Sequence, residues 1–135
     1  MERLHKLYES YYGCPPDKVL PMTGSASNRR YCRLTSDAGT CVGVVGTDYN
    51  ENKAFISLAR HFRSKGISAP EVLAAGEDGM VYIQEDLGHD LLLNMLVKAR
   101  KLGEGVEQIE DMLCRTMALL PKIQFEGAQG LDFSI

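Results

Sequence analysis

The sequence predicts an α+β domain built on a mostly antiparallel sheet of about five strands. Three observations predict it. Apolar spacing switches between helical and alternating, giving the order helix, three strands, helix, two strands, helices. The turn signals Asp37-Ala38-Gly39 and Glu77-Asp78-Gly79 each separate two strand candidates by a tight connection. The run TCVGVVG (40–46) is short and rich in valine, as a strand buried on both faces requires.

The elements follow in order. Residues 2–12 place Leu4, Leu7, Tyr8, Tyr11 and Tyr12 at i, i+3, i+4 spacing, a short amphipathic helix ended by Gly13, Pro15 and Pro16. DKVLPMTG (17–24) is a first strand, weakened by Pro21. RYCRLTSD (30–37) alternates Tyr31 and Arg33 against Cys32 and Leu34 and is a second. With TCVGVVG they form an antiparallel meander. From residue 50 to 66 the period is helical, with Phe55, Leu58, Ala59 and Phe62 on one side. Asp48 or Asn50 caps its start and Gly66 stops it. VLAAG (72–76) and MVYIQED (80–86) are the last two strands. A helix over 90–100 takes Asp90 as its N-cap, GEG at 103–105 breaks the chain, and a second helix runs over 106–123. The tail from Phe125 has little pattern. The expected division is an N-terminal helix over 1–14, a sheet-and-helix body over 15–89 and a helical segment over 90–135.

Composition narrows the function classes. The 135 residues suit one ordinary domain, and 44% hydrophobic with 24% charged residues is a globular balance. The net charge of -3 offers no basic excess for a phosphate backbone, so nucleic acid is not the expected partner. No apolar run approaches the roughly 18 residues of a membrane span, and MERLHKLYESYY lacks the apolar core of a secretory signal. The four cysteines show no C-x-x-C pairing, so reduced thiols in a cytoplasmic protein are expected.

The stretch GSASNRRYCRL (24–34) carries the most chemistry. A turn of small residues lets backbone N–H groups approach an anion closely. Gly24 permits unusual backbone angles, Ser25, Ser27 and Asn28 add short polar side chains around Ala26, and Arg29 or Arg30 adds charge. Taken alone, the same residues also make a polar hairpin turn.

This run, the strand ending in VGVVG, the helix after it and PEVLAAGEDGMVYIQEDLG together resemble the N-terminal lobe of the aminoglycoside phosphotransferase and choline kinase superfamily. Within it the sequence is most similar to bacterial amino-sugar kinases acting on cell-wall sugars such as N-acetylmuramate and N-acetylglucosamine. The resemblance covers about residues 15–96, and its most specific parts are the S-x-S/D-x-R-R-Y/F-x-R-like run at 25–33 and VYIQEDLG. It implies a protein-kinase-like small lobe that binds ATP with magnesium for transfer to a small-molecule acceptor. It implies a phosphate loop of Gly24, Ser25, Ala26, Ser27 and Asn28, with Arg30 beside it. It further implies a base pocket lined by Gln84, Glu85, Asp86 and Leu87, with Val44, Ile83 and Leu20 against the purine.

Two departures stand against the family pattern. The third strand reads CVGVVGT and has no lysine, so Arg30 or Arg33 is the expected phosphate anchor. Glu51, the one acid on the 50–66 helix, then has no lysine partner, and a role in the first-turn dipole and in solubility is expected. The H-x-D-x-x-x-x-N loop that supplies the catalytic aspartate and a metal ligand is missing. His89-Asp90 has no asparagine at the required offset, and Asp132-Phe133 is followed by serine rather than glycine. The expectation is therefore the ATP-binding lobe of a sugar or aminoglycoside kinase, cut before its catalytic loop and inactive alone. The alternatives are a non-catalytic interaction module that has lost its phosphate-anchoring lysine, and an unrelated α+β domain. Helices 90–100 and 106–123, rich in Leu and Met, would expose a lobe interface through which two copies pair.

Overall fold

The computed structural model describes residues 1–22, 28–103 and 105–134. It is α+β. In chain order the described elements are α1 (Glu2–Tyr12), β1 (Lys18–Met22), β2 (Arg30–Ser36), β3 (Gly39–Val45), α2 (Tyr49–Ser64), β4 (Val72–Ala75), β5 (Val81–Glu85), α3 (Leu92–Leu102) and α4 (Val106–Pro121). A π-helical turn over Lys122–Glu126 continues α4. The chain divides into two compact units. One holds Met1–Asp86 with the residues from Leu131 onward; the other is Leu87–Gly130.

The first unit is a five-stranded sheet in the order β1-β2-β3-β5-β4, with every described pairing antiparallel. β1, β2 and β3 form the meander expected from the sequence. The chain then crosses through α2, so β4 lands at the far edge, and the β4–β5 hairpin returns β5 beside β3. β3 is thus central. Cys41, Val42, Gly43 and Val44 are all buried, because helices cover both faces.

Strand parity assigns residues to the two faces. α1 lies on one. Leu4 and Tyr8, both 0% exposed, pack there with Cys32, Leu34, Cys41, Val81 and Ile83. Gly43 makes room for that helix: a Cβ there would stand 2.6 Å from Leu4 Cδ2 and 2.9 Å from Leu34 Cδ1. The Tyr8 hydroxyl fixes the helix's position by donating to the Gly39 carbonyl at 2.6 Å. The N-terminal helix is therefore part of the sheet's core. α2 covers the other face, where Ile56 and Phe55 pack with Val42, Val44, Tyr82, Tyr31 and Met22.

The ends of α2 obey local rules. The Asp48 carboxylate accepts from Glu51 N–H at 2.9 Å, which settles the N-cap between the two candidates. Past the last turn, Gly66 adopts φ 68°, a left-handed conformation that glycine takes without a Cβ penalty, and its N–H bonds Arg63 O. Asn52, buried on the first turn, donates to Gly79 O at 3.0 Å and ties α2 to the β4–β5 turn.

In the second unit, α3 and α4 are joined through Gly103 and Gly105. The N-cap of α3 is Leu91, with no side-chain cap, and not Asp90 as expected. Asp90 sits one residue too early for its carboxylate to reach the N2 or N3 amide. The turn over Lys122–Glu126 gives the tail more order than its composition indicated. Leu93, Met95, Val97, Leu113 and Met117 are exposed. No described helix is long and apolar enough to cross a membrane.

Candidate functional site

The connection between β1 and β2 holds the sequence's chief candidates. Gly24, Ser25, Ala26 and Ser27 lie outside the described residues. Asn28, where description resumes, is exposed. The chain then enters β2 and places three arginines in five residues, and the sheet sends them to different ends.

Arg29 reaches α2. Its Nη2 donates to the Glu51 backbone carbonyl at 2.9 Å and stands 3.1 Å from Glu51 Oε1. Its guanidinium carbon lies 5.4 Å from the Phe55 ring centroid, within the range of a cation–π contact. The Arg29 side chain is 9% exposed, while that of Glu51 is half exposed. Phe55 in turn stacks on Tyr82, ring centroids 5.3 Å apart. Tyr82 is fully buried, and that burial pushes its phenol up to about 12. Glu51 keeps its place in the first turn and has a salt-bridge partner as well, which corrects the expectation of a dipole and solubility role without one. A cation reaches it from the residue just before β2 instead of from β3.

Arg30 pairs with Val45 across the β2–β3 ladder, and Val45 packs in the core on the α1 side. Directly opposed residues in an antiparallel ladder share a face. Arg30 therefore stands on the face opposite α2, exposed, away from Arg29 and Val44. Arg33 is on the α2 face, opposite Val42. Its guanidinium binds Asp86 through Nε and through Nη2, the latter at 2.7 Å from Oδ1. Arg30 and Arg33, the two expected anchors, therefore stand on opposite faces of β2, and Arg33 is bound to Asp86.

The expected base pocket also divides. Val44 belongs to the core under α2, and Ile83 to the core under α1. Both are 0% exposed. Val44 pairs with Tyr82, and Ile83 is the next residue along β5, so the pleat turns it to the other side. One purine cannot rest on both, and this corrects the grouping. Leu20, 45% exposed, shares a row with Arg33, Val42 and Gln84 on the α2 face. Gln84 is half-buried with its Oε1 enclosed. Glu85 turns its carboxylate to the β4 edge, where Oε2 accepts from Glu71 N–H at 3.2 Å and Arg63 Nη1 at 3.3 Å. Asp86 is held by Arg33, and Leu87 begins the second unit, 69% exposed.

What the α2 face brings together is a fixed cation, a half-exposed carboxylate and an aromatic stack, next in sequence to GSASN. Sequence reasoning named Arg29 only as one of two possible charges and passed over its pairing with Glu51. Parity carried the signal: Arg29, Tyr31 and Arg33 alternate with Arg30 and Cys32. Among the described residues, no cluster of three or more His, Cys, Asp or Glu is placed to hold a metal ion. No protein-family model matches the chain, and no curated protein matches it.

Proposed function

We propose that this chain is the ATP-binding lobe of a small-molecule phosphotransferase, a sugar or aminoglycoside kinase with a protein-kinase-like small lobe. The observation that carries the reading is the connectivity of the sheet. Three meander strands, one crossover helix and a hairpin give the order β1-β2-β3-β5-β4. The small-residue run joins β1 to β2 at one end, and β5 leads out of the unit at Asp86. Phosphoryl-transfer folds of the kinase type use such a lobe to cover nucleotide phosphates with a glycine-rich turn and a cation paired to a helix glutamate. The α2 face supplies the last of these as Arg29 and Glu51.

The reading concerns binding. Magnesium would enter with the nucleotide. The catalytic aspartate of the H-x-D-x-x-x-x-N loop is absent from the 135 residues, so no transfer step is assigned to them.

One observation favours a second reading, a non-catalytic interaction module of the same fold. β3 carries no lysine, and Arg33 is committed to Asp86. Titration calorimetry with magnesium and ATP separates the two, using the chain and a Ser27→Ala, Asn28→Ala double variant. Binding that weakens in the variant supports the nucleotide lobe. A chain that binds neither ATP nor adenosine leaves the interaction module as the better account.

A further inference from the structure

We propose that two copies of this chain pair through the second unit, with α3 of each copy antiparallel to α4 of the other about a two-fold axis. The result is a four-helix bundle. The inference goes beyond nucleotide binding and does not depend on it.

The two helices carry matching rows. On α3, Leu93, Val97 and Arg100 are spaced i, i+4, i+7 and share one side of the helix. On α4, Met117, Leu113 and Glu110 take the same steps in the reverse direction. Antiparallel helices oppose residues in this order. Leu93 then meets the partner's Met117, Val97 the partner's Leu113 and Arg100 the partner's Glu110. A two-fold axis makes each contact twice.

Both rows lie on the same side of the helix pair. A groove of about 170 Å³ runs between α3 and α4, and Arg100 and Leu113, one from each row, line it with Leu96, Ala99 and Ile109. The apolar members of both rows are exposed, Leu93 to 67% and Met117 to 62%. A contiguous apolar face of this kind marks an interaction surface.

The charges select the occupant. At the end nearest Gly103 and Gly105, the face carries an arginine on one helix and a glutamate on the other. A face with one charge of each sign on either side of its midline is complementary to itself after a two-fold rotation. Among the described residues, neither Arg100 nor Glu110 forms an ion pair within the chain. The neighbouring acid, Asp111, is bound to Arg115 along α4. The other groove between these helices is lined by Asp90, Asn94, Lys98 and Gln108 beside its apolar residues, and closing it would desolvate those polar groups.

The test is sedimentation equilibrium of the intact chain from micromolar to millimolar concentration, where a monomer–dimer equilibrium is expected. Met117→Glu sets a carboxylate against the partner's Leu93 and is expected to weaken the dimer about a hundredfold. Arg100→Glu and Glu110→Arg are each expected to weaken it about tenfold, since like charges then meet at both contacts. An equimolar mixture of those two variants is expected to restore the dimer. One copy then supplies both acids and the other both bases. Circular dichroism melts accompany each variant. If Met117→Glu does not fold, the two charge reversals and their mixture decide.

A wild-type chain that stays monomeric throughout overturns the proposal and leaves the face to a different partner. A dimer that all three variants leave intact overturns this face as the interface. Weakening by both reversals without recovery on mixing overturns the pairing of α3 with the partner's α4, because a charge effect within one chain acts that way.

Discussion

Arg33 donates from Nε and Nη2 to the two carboxylate oxygens of Asp86, joining the middle of β2 to the point where β5 leaves the sheet. The two side chains are 9% and 12% exposed, and the bond raises the Arg33 guanidinium further above its ordinary range. A bidentate pair of this kind fixes direction as well as distance. It sets the path of the last residue of the first unit.

Removing one partner is therefore costlier than removing both. Arg33→Met takes the bidentate partner from a largely buried carboxylate and is expected to cost about 3 kcal/mol of unfolding free energy in urea denaturation. The double variant Arg33→Met, Asp86→Leu is expected to recover most of that loss. Strictly additive losses would show that the pair does not act as a unit.

The contact of α1 with the sheet has a steric signature. Gly43→Ala pushes a methyl against Leu4 and Leu34 and is expected to cost about 1–3 kcal/mol. Leu4→Ala alone opens a cavity and is expected to cost about 2–5 kcal/mol. Combined, the two should cost less than their sum, because the new methyl enters space that the leucine vacates. A sum or more would mean that Leu34 sets the clash.

Alkaline stability follows from the buried phenols. Burial raises Tyr82 and Tyr12 from their ordinary value of 10.0 to about 12 in the folded chain. In that window the unfolded state releases these protons and the native state retains them, so the unfolded state binds fewer. Their contribution is complete below pH 10.0 and is lost as pH rises toward about 12. The check is the midpoint of urea unfolding against pH, beside the phenolate absorbance. A midpoint that holds steady through this range contradicts it.

The cysteines should divide by burial. Cys32 and Cys41 are buried, and burial raises both thiols, that of Cys41 to about 12. Cys114 is exposed. With a thiol-specific chromogenic reagent, Cys114 should react first. Cys32 and Cys41 should react only as fast as the chain unfolds. Rapid modification of Cys41 in native conditions would place a local opening at β3.

Most of the fold was legible because local rules act on adjacent residues. The turn signals at 37–39 and 77–79 fall where strands reverse, and Asp48 and Gly66 mark the ends of α2. Asp90 misled for the same local reason: an N-cap depends on one-residue register, and the helix begins later. The site was less legible. Val44 and Ile83 look alike as apolar strand residues, and Arg30 and Arg33 look alike as cations. Which face each one takes depends on pairing register.

What the sequence alone determined was the set of elements, their order and the small-residue character of 24–28, since periodicity and turn chemistry are properties of neighbours in the chain. Tertiary structure decided the rest. It put β5 between β3 and β4, parted Val44 from Ile83, committed Arg33 to Asp86 and gave Glu51 to Arg29. Those choices join residues as much as 53 positions apart, and no local signal spans that distance. They are made when two helices cover opposite faces of one pleated sheet, and each charge then pairs with the partner that its face allows.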